Sequence, residues 1–268
     1  MVNTRNMGIG NIVWWSIPDE ISVKRSEWAA RFPELPLLGE SAGDPLRRAL
    51  FAIKAPAGTR RLIRPLRQLG QWAIVIETPE TANLHYTVDM IVAIENGKLV
   101  IIKTTSYSEW MYELGANYER ELDKVHNGAL ADAVLNEVRG RCLAVTARKT
   151  GGVYFVPSIY ADKIDKITNV LQAIGGNLYS YAVGADEHSR QQVLTHIVDD
   201  MKTSVDTVTG LIEGRHKTDA VNEGKQALDR IRYYRDAFNL LTDESNKIEA
   251  QLNDLIVKAL TKKDTGEK

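Results

Sequence analysis

Only one cysteine, Cys142, occurs among the 268 residues, so an intrachain disulfide and a cysteine-built zinc site are both excluded. A reducing compartment is expected, and with it a cytoplasmic location. No apolar run approaches the ~20 residues that span a bilayer. The first residues, Met1 to Met7, lack the hydrophobic stretch of a signal peptide. No contact with a membrane is expected. The five histidines, His85, His126, His188, His196 and His216, are scattered, and none has the spacing of a ligand pair. Nucleotide motifs are missing too. Gly8-Ile9-Gly10 precedes the first strand instead of following it and lacks the third glycine of a dinucleotide loop. There is no Gly-x-Ser-x-Gly elbow. The sequence therefore names no catalytic residue, no metal ligand and no cofactor.

What is present begins at the C-terminal end. From Glu187 to about Lys262 the pattern is that of two long helices. The first carries Leu194, Val198, Met201, Val205, Val208 and Ile212, a heptad seam. A break at Gly214 to Asp219 separates it from a second seam that runs from Val221 to Leu255, with Gly224 and Ser245 at two of its positions. At ~1.5 Å per residue the helices should measure about 39 and 66 Å, so the second should overshoot the first. The overshoot still has an apolar stripe, Ile248-Leu252-Leu255, which must be covered. Either the same chain or a second copy can cover it. Phe238, Ile248, Leu252 and Leu255 are thus candidate association residues, for a homo-oligomer or a protein partner. Residues 263–268 should fray.

Before this arm the pattern mixes strands and helices. Asn11 to Ile17 is β-branched and aromatic, a strand. Ser22 should cap a helix over Val23 to Phe32, and Asp44-Pro45 should open another to about Lys54. Four strands follow as a meander: Thr59 to Leu69, Gln71 to Thr78, His85 to Ile94 and Lys98 to Lys103. Pro65 keeps the first at an edge. Asn96-Gly97 should form a type I′ hairpin turn. Ser108 to about Arg141 reads as helical with a break at Asn127-Gly128. Short strands at 141–148 and 153–157, a helix from Tyr160 to Ile174 and a strand from Asn177 to Val183 complete the series. Clustered rather than alternating strands indicate α+β: an antiparallel sheet with packed helices, then a helical hairpin. The expected division is an α+β domain, 1–185, and an arm, 186–262.

Charge is balanced overall, at −1, but not locally. Residues 1–75 carry 11 basic against 6 acidic residues. From Pro45 to Ile76 there are seven basic residues and no acid: Arg47, Arg48, Lys54, Arg60, Arg61, Arg64 and Arg67. Guanidinium groups fork onto phosphate, so the six arginines are candidates for contact with a nucleic acid or another polyanion. Internal pairing with Glu77, Glu80 and Asp89 competes with that reading.

Three other groups of residues bear on the chemistry. His85, Thr87, Asp89, Glu95 and Lys103 invite comparison with a metal-dependent nuclease, but no acid lies beside Lys103 on its strand. Cys142 follows two arginines, yet Leu143 and Val145 place it on a segment entering the core. Trp14 and Trp15 should point to opposite faces of their strand. Val13-Trp14-Trp15-Ser16-Ile17-Pro18-Asp19, together with Gly152-Val153-Tyr154-Phe155-Val156-Pro157, resembles uncharacterised α+β proteins carried by phages and plasmids. That resemblance implies a mobile-element origin and no activity. The expected function is a non-enzymatic binding or assembly protein, with an enzyme assembled from distant residues as the alternative.

Overall fold

The computed structural model describes residues 8–41, 43–54, 60–67, 70–79, 84–105, 109–148, 150–238 and 243–261. It forms two compact units, Met1–Asp19 with Leu130–Lys268 and Glu20–Ala129. This division differs from the expected one at residue 185. The helical arm belongs to the same unit as the first strand.

The discontinuous unit is built on a four-stranded sheet. Its strands are β1 (Gly10–Ser16), β6 (Val145–Thr146), β7 (Tyr154–Pro157) and β8 (Asn177–Val183), in the order β6-β7-β1-β8 and all antiparallel. The strand period of two separates its faces. On one face Ile12 stands opposite Phe155 and Tyr181, and Phe155 packs against Tyr234 and Phe238 of the helical arm. On the other, Val13, Val156 and Leu178 are buried. Helix α5 (Ala161–Ala173) packs against β8 and buries Ile164, Ile167, Val170 and Leu171. The adjacent tryptophans part as expected. Trp14 stacks on Tyr179 and Tyr181, Trp15 on Tyr154.

The arm is three helices, not two: α6 (Glu187–Glu213), α7 (Lys217–Phe238) and α8 (Asp243–Thr261). The expected 66 Å helix is therefore corrected. Its first part ends at Phe238 and a new helix begins at Asp243; Leu241 of the expected seam lies outside the described residues. Each of the three helices packs on the other two. The physical reason is the apolar stripe itself: folded back, it reaches the core of its own chain. Ile248 and Leu252 are buried beside Val208, Ala220, Leu228 and Ile231. Gly224 explains why a small residue sits in the seam. A Cβ there would lie 2.7 Å from Cγ1 of Ile256, so only glycine lets α7 and α8 approach this closely.

The continuous unit follows the expected meander. Strands β2 (Arg60–Pro65), β3 (Gln71–Pro79), β4 (Leu84–Glu95) and β5 (Lys98–Thr104) pair in sequence order. Asn96 and Gly97 both have positive φ, 52° and 76°, as a type I′ turn requires. Helices α2 (Gly43–Ala52) and α3 (Glu109–Leu122) cover one face. Leu46, Ala49, Leu50, Leu114 and Tyr118 bury it with Ile74, Met90 and Val92. Helix α1 (Arg25–Arg31) is preceded by Lys24 without a side-chain cap, so Ser22 does not have its expected role. Asp44 lies inside α2 and accepts from the backbone N–H and hydroxyl of Ser41. The break expected at Asn127-Gly128 comes earlier, because Asn127 already starts α4 (Asn127–Leu135). Residues 136–141 continue as a π-helical turn, so the helical stretch ends at Arg141 as expected.

Candidate functional site

The structure disperses the six arginines. On β2 the period of two splits them between faces. Arg61 and Ile63 point toward the helices, whereas Arg60 and Arg64 point away. Arg61 donates through Nη2 to the carbonyl of Phe51, 3.2 Å away, at the C-terminal end of α2. A cation suits that end of a helix. Burial lowers the Arg61 pKa, and Glu113 on α3 opposes the shift. Arg48 is held by Glu40 at 3.0 Å and Glu121 at 3.1 Å. Both guanidinium groups are engaged within the chain. Arg47 is exposed on α2, on the helix side of the sheet, and Arg67 is exposed beyond the end of β2.

Arg60 and Arg64 remain on the outer face, and both are exposed. The register extends their rows across the sheet. Arg64 aligns with Ala73, Ile91 and Lys103, and Leu62 with Val75 and Val88. Arg60 aligns with Glu77 and Tyr86 and reaches Glu77 at 4.0 Å. This face thus has cations on both edge strands, an apolar floor between them, and Tyr86 and Val88 in solvent. From Arg64 to Lys103 is three strand spacings, about 14 Å, and Arg60 to Arg64 about 13 Å along the strand. Of the acids expected to pair with the arginines, Glu77 reaches Arg60 only at 4.0 Å. Asp89 is buried at a β-bulge and accepts from Thr105, and Glu80 lies outside the described residues.

The association residues have a different fate. Ile248 and Leu252 are buried by their own chain, and Phe238 and Leu255 pack against the same core. The stripe that needed covering is covered from within.

A second polar region was not foreseen from the sequence. Asp200 on α6 is 4 % exposed. Its carboxylate accepts from the backbone N–H of Thr146 at 3.0 Å and from the Thr146 hydroxyl at 2.7 Å. β6 is an edge strand, so Asp200 takes up an N–H that the sheet leaves unpaired. Arg230 of α7, 2 % exposed, lies 3.5 Å from Asp200 and donates to Ser204 and Glu223, both at 3.1 Å. Arg139, set by the π-helical turn, reaches Asp200 at 3.4 Å and Glu223 at 3.8 Å. The network joins β6, the π turn, α6 and α7. Only a long-range contact brings these residues together, so no local spacing announces them. Above it opens a cleft of about 520 Å³.

Cys142 is fully buried, and burial pushes its thiol up to about 11, outweighing the nearby Lys163 cation. The flanking arginines do not make it a nucleophile. Among the described residues, no three of His, Cys, Asp or Glu converge as a group that could hold a metal ion. No described helix is long and apolar enough to cross a membrane.

Residues 8–261 match a family described as being of unknown function, DUF6744. The chain belongs to the DUF6744 family. The match covers both units and carries nothing about a phage or plasmid origin. No curated protein matches, and no solved structure does.

Proposed function

We propose that this DUF6744 chain is a non-enzymatic binding protein that holds a single-stranded nucleic acid on the outer face of the β2–β5 sheet. One observation carries the reading: Arg60, Arg64 and Lys103 surround an apolar floor on that face, and among the described residues only Arg60 has an acid within ion-pair reach. Guanidinium and ammonium groups meet phosphates, while Tyr86 and the β-branched floor offer bases a surface to lie on. Reading a duplex would need a helix or ribbon in a groove, and this face is the surface of a four-stranded sheet.

The test is fluorescence anisotropy of a labelled single-stranded oligonucleotide over a salt series. Affinity should fall linearly on a log–log plot, by about 0.7 per phosphate contact. Changing Arg64 and Lys103 together to Gln should flatten the slope by about one to two contacts' worth, for all sequences alike. Arg47→Gln, on the helix side, should leave it unchanged. Absence of salt-sensitive binding by the wild type, or equal slopes in the double variant, would sink the reading.

A further inference from the structure

The cleft of the discontinuous unit has two unlike walls. One is α6, which presents His196, Asp199, Thr203 and Asp206 along a single stripe at spacings of three and four. The other consists of the π turn and the β6–β7 connection, which bring Arg139, Arg148 and Gly151. The charges that face each other here are not paired with each other. Asp199 and Asp206 are exposed and make no ion pair among the described residues. Among the described residues, the Arg148 side chain donates only from Nε, to Thr150. Arg139 uses only Nη2 on Asp200 and Glu223, leaving its other N–H groups without a described partner. The buried Asp200 does not repel an anion strongly, because Arg230 lies against it.

We propose that this cleft binds a phosphorylated sugar. Arg139 and Arg148 would take the phosphate, and Asp199 and Asp206 would accept from sugar hydroxyls. Guanidinium groups offer paired donors to phosphate oxygens, and ionised carboxylates are acceptors only, the complement of a polyol. Thr203 between the carboxylates, and His196 one turn before Asp199, suit hydroxyl groups better than a lone ammonium. The volume lies within the range of small-molecule sites, about 300–1,000 Å³. A nucleotide and a free sugar phosphate share this chemistry.

Isothermal titration of the full chain with adenosine monophosphate, ribose 5-phosphate and inorganic phosphate separates the outcomes. Binding of both organic phosphates assigns the site to sugar phosphates in general, and binding of adenosine monophosphate alone assigns it to nucleotides. In either case inorganic phosphate should bind at least about tenfold more weakly. Arg148→Gln should weaken the organic phosphates about tenfold, and so should Asp206→Asn, which should spare inorganic phosphate. Both side chains are exposed, so an unchanged melting midpoint verifies the fold of each variant. The proposal is overturned if no probe binds, if inorganic phosphate binds as tightly as the esters, or if Asp206→Asn leaves affinity unchanged. Oligonucleotide binding by the other unit is read separately and does not enter this outcome.

Discussion

Each unit holds a four-stranded antiparallel sheet, and Arg230 beside the first and Arg64 on the second stand in opposite settings. Beside the first sheet, Arg230 is buried and fixed by Asp200, Glu223 and Ser204. On the outer face of the second, Arg64 stands in solvent. The same residue type ties helices to a strand edge in one place and stands exposed on a sheet face in the other. Density of charge along the chain does not distinguish these roles; what lies across from each guanidinium does. Even within β2, adjacent Arg60 and Arg61 divide between the two roles.

The largest effect should come from the core that the first sheet shares with its helices. Leu252→Asp puts a charge where the side chain has no exposure. If the stripe joined two copies, this change would yield a folded monomer. Because the chain covers the stripe itself, the expected result is loss of the cooperative thermal transition, by upward of about 4 kcal/mol. A folded variant with the wild-type midpoint would contradict that packing.

Next is the buried pair. Arg230→Ala leaves Asp200 and Glu223 without their shared cation and should cost about 3–5 kcal/mol in a urea titration. A cost below about 1 kcal/mol would mean that Arg139 alone suffices for both carboxylates. Arg61→Gln sharpens the comparison from the other side. It should lower stability by about 1 kcal/mol, since a contact at the end of α2 is weakened, and should leave the salt slope of oligonucleotide binding unchanged. A flattened slope would place Arg61 with Arg64 and erase the distinction between the faces. Gly97→Val should cost a similar amount, because a β-branched residue resists the φ of 76° observed there.

The second sheet was legible because its signals are local. Asn96-Gly97 sets a turn, alternation sets each strand, and a meander needs no information beyond neighbours. The helical arm was legible as apolar periodicity but not as three helices. Periodicity persists across the end of α7 at Phe238, so a continued seam cannot report a reversal. Gly224 was the available clue: a glycine at a seam position marks a close approach by another element, here Ile256. The Asp200 network was illegible for a different reason. Its members, Arg139, Thr146, Asp200, Glu223 and Arg230, come from four elements, and none has an unusual neighbour in sequence.

The smallest effect concerns His126, which lies 2.8 Å from Glu121 within the cluster that fixes Arg48. The contact with a carboxylate alone would favour the imidazolium. Burial opposes it more strongly, and the Arg48 cation adds to that, so the His126 pKa falls below its ordinary 6.5. The folded state therefore prefers the neutral ring more than the unfolded state does. The resulting stability is present above pH 6.5, where both states carry the neutral ring. It is lost as the pH falls below 6.5, because the unfolded chain binds the proton more readily. Melting midpoints measured from pH 7.5 downward should begin to decline near 6.5, before the carboxylates titrate. His126→Gln should flatten that first part of the decline and leave the steeper fall at lower pH in place. If the variant follows the wild type throughout, Glu121 holds the imidazolium as firmly as water does, and burial at this cluster does not set the balance.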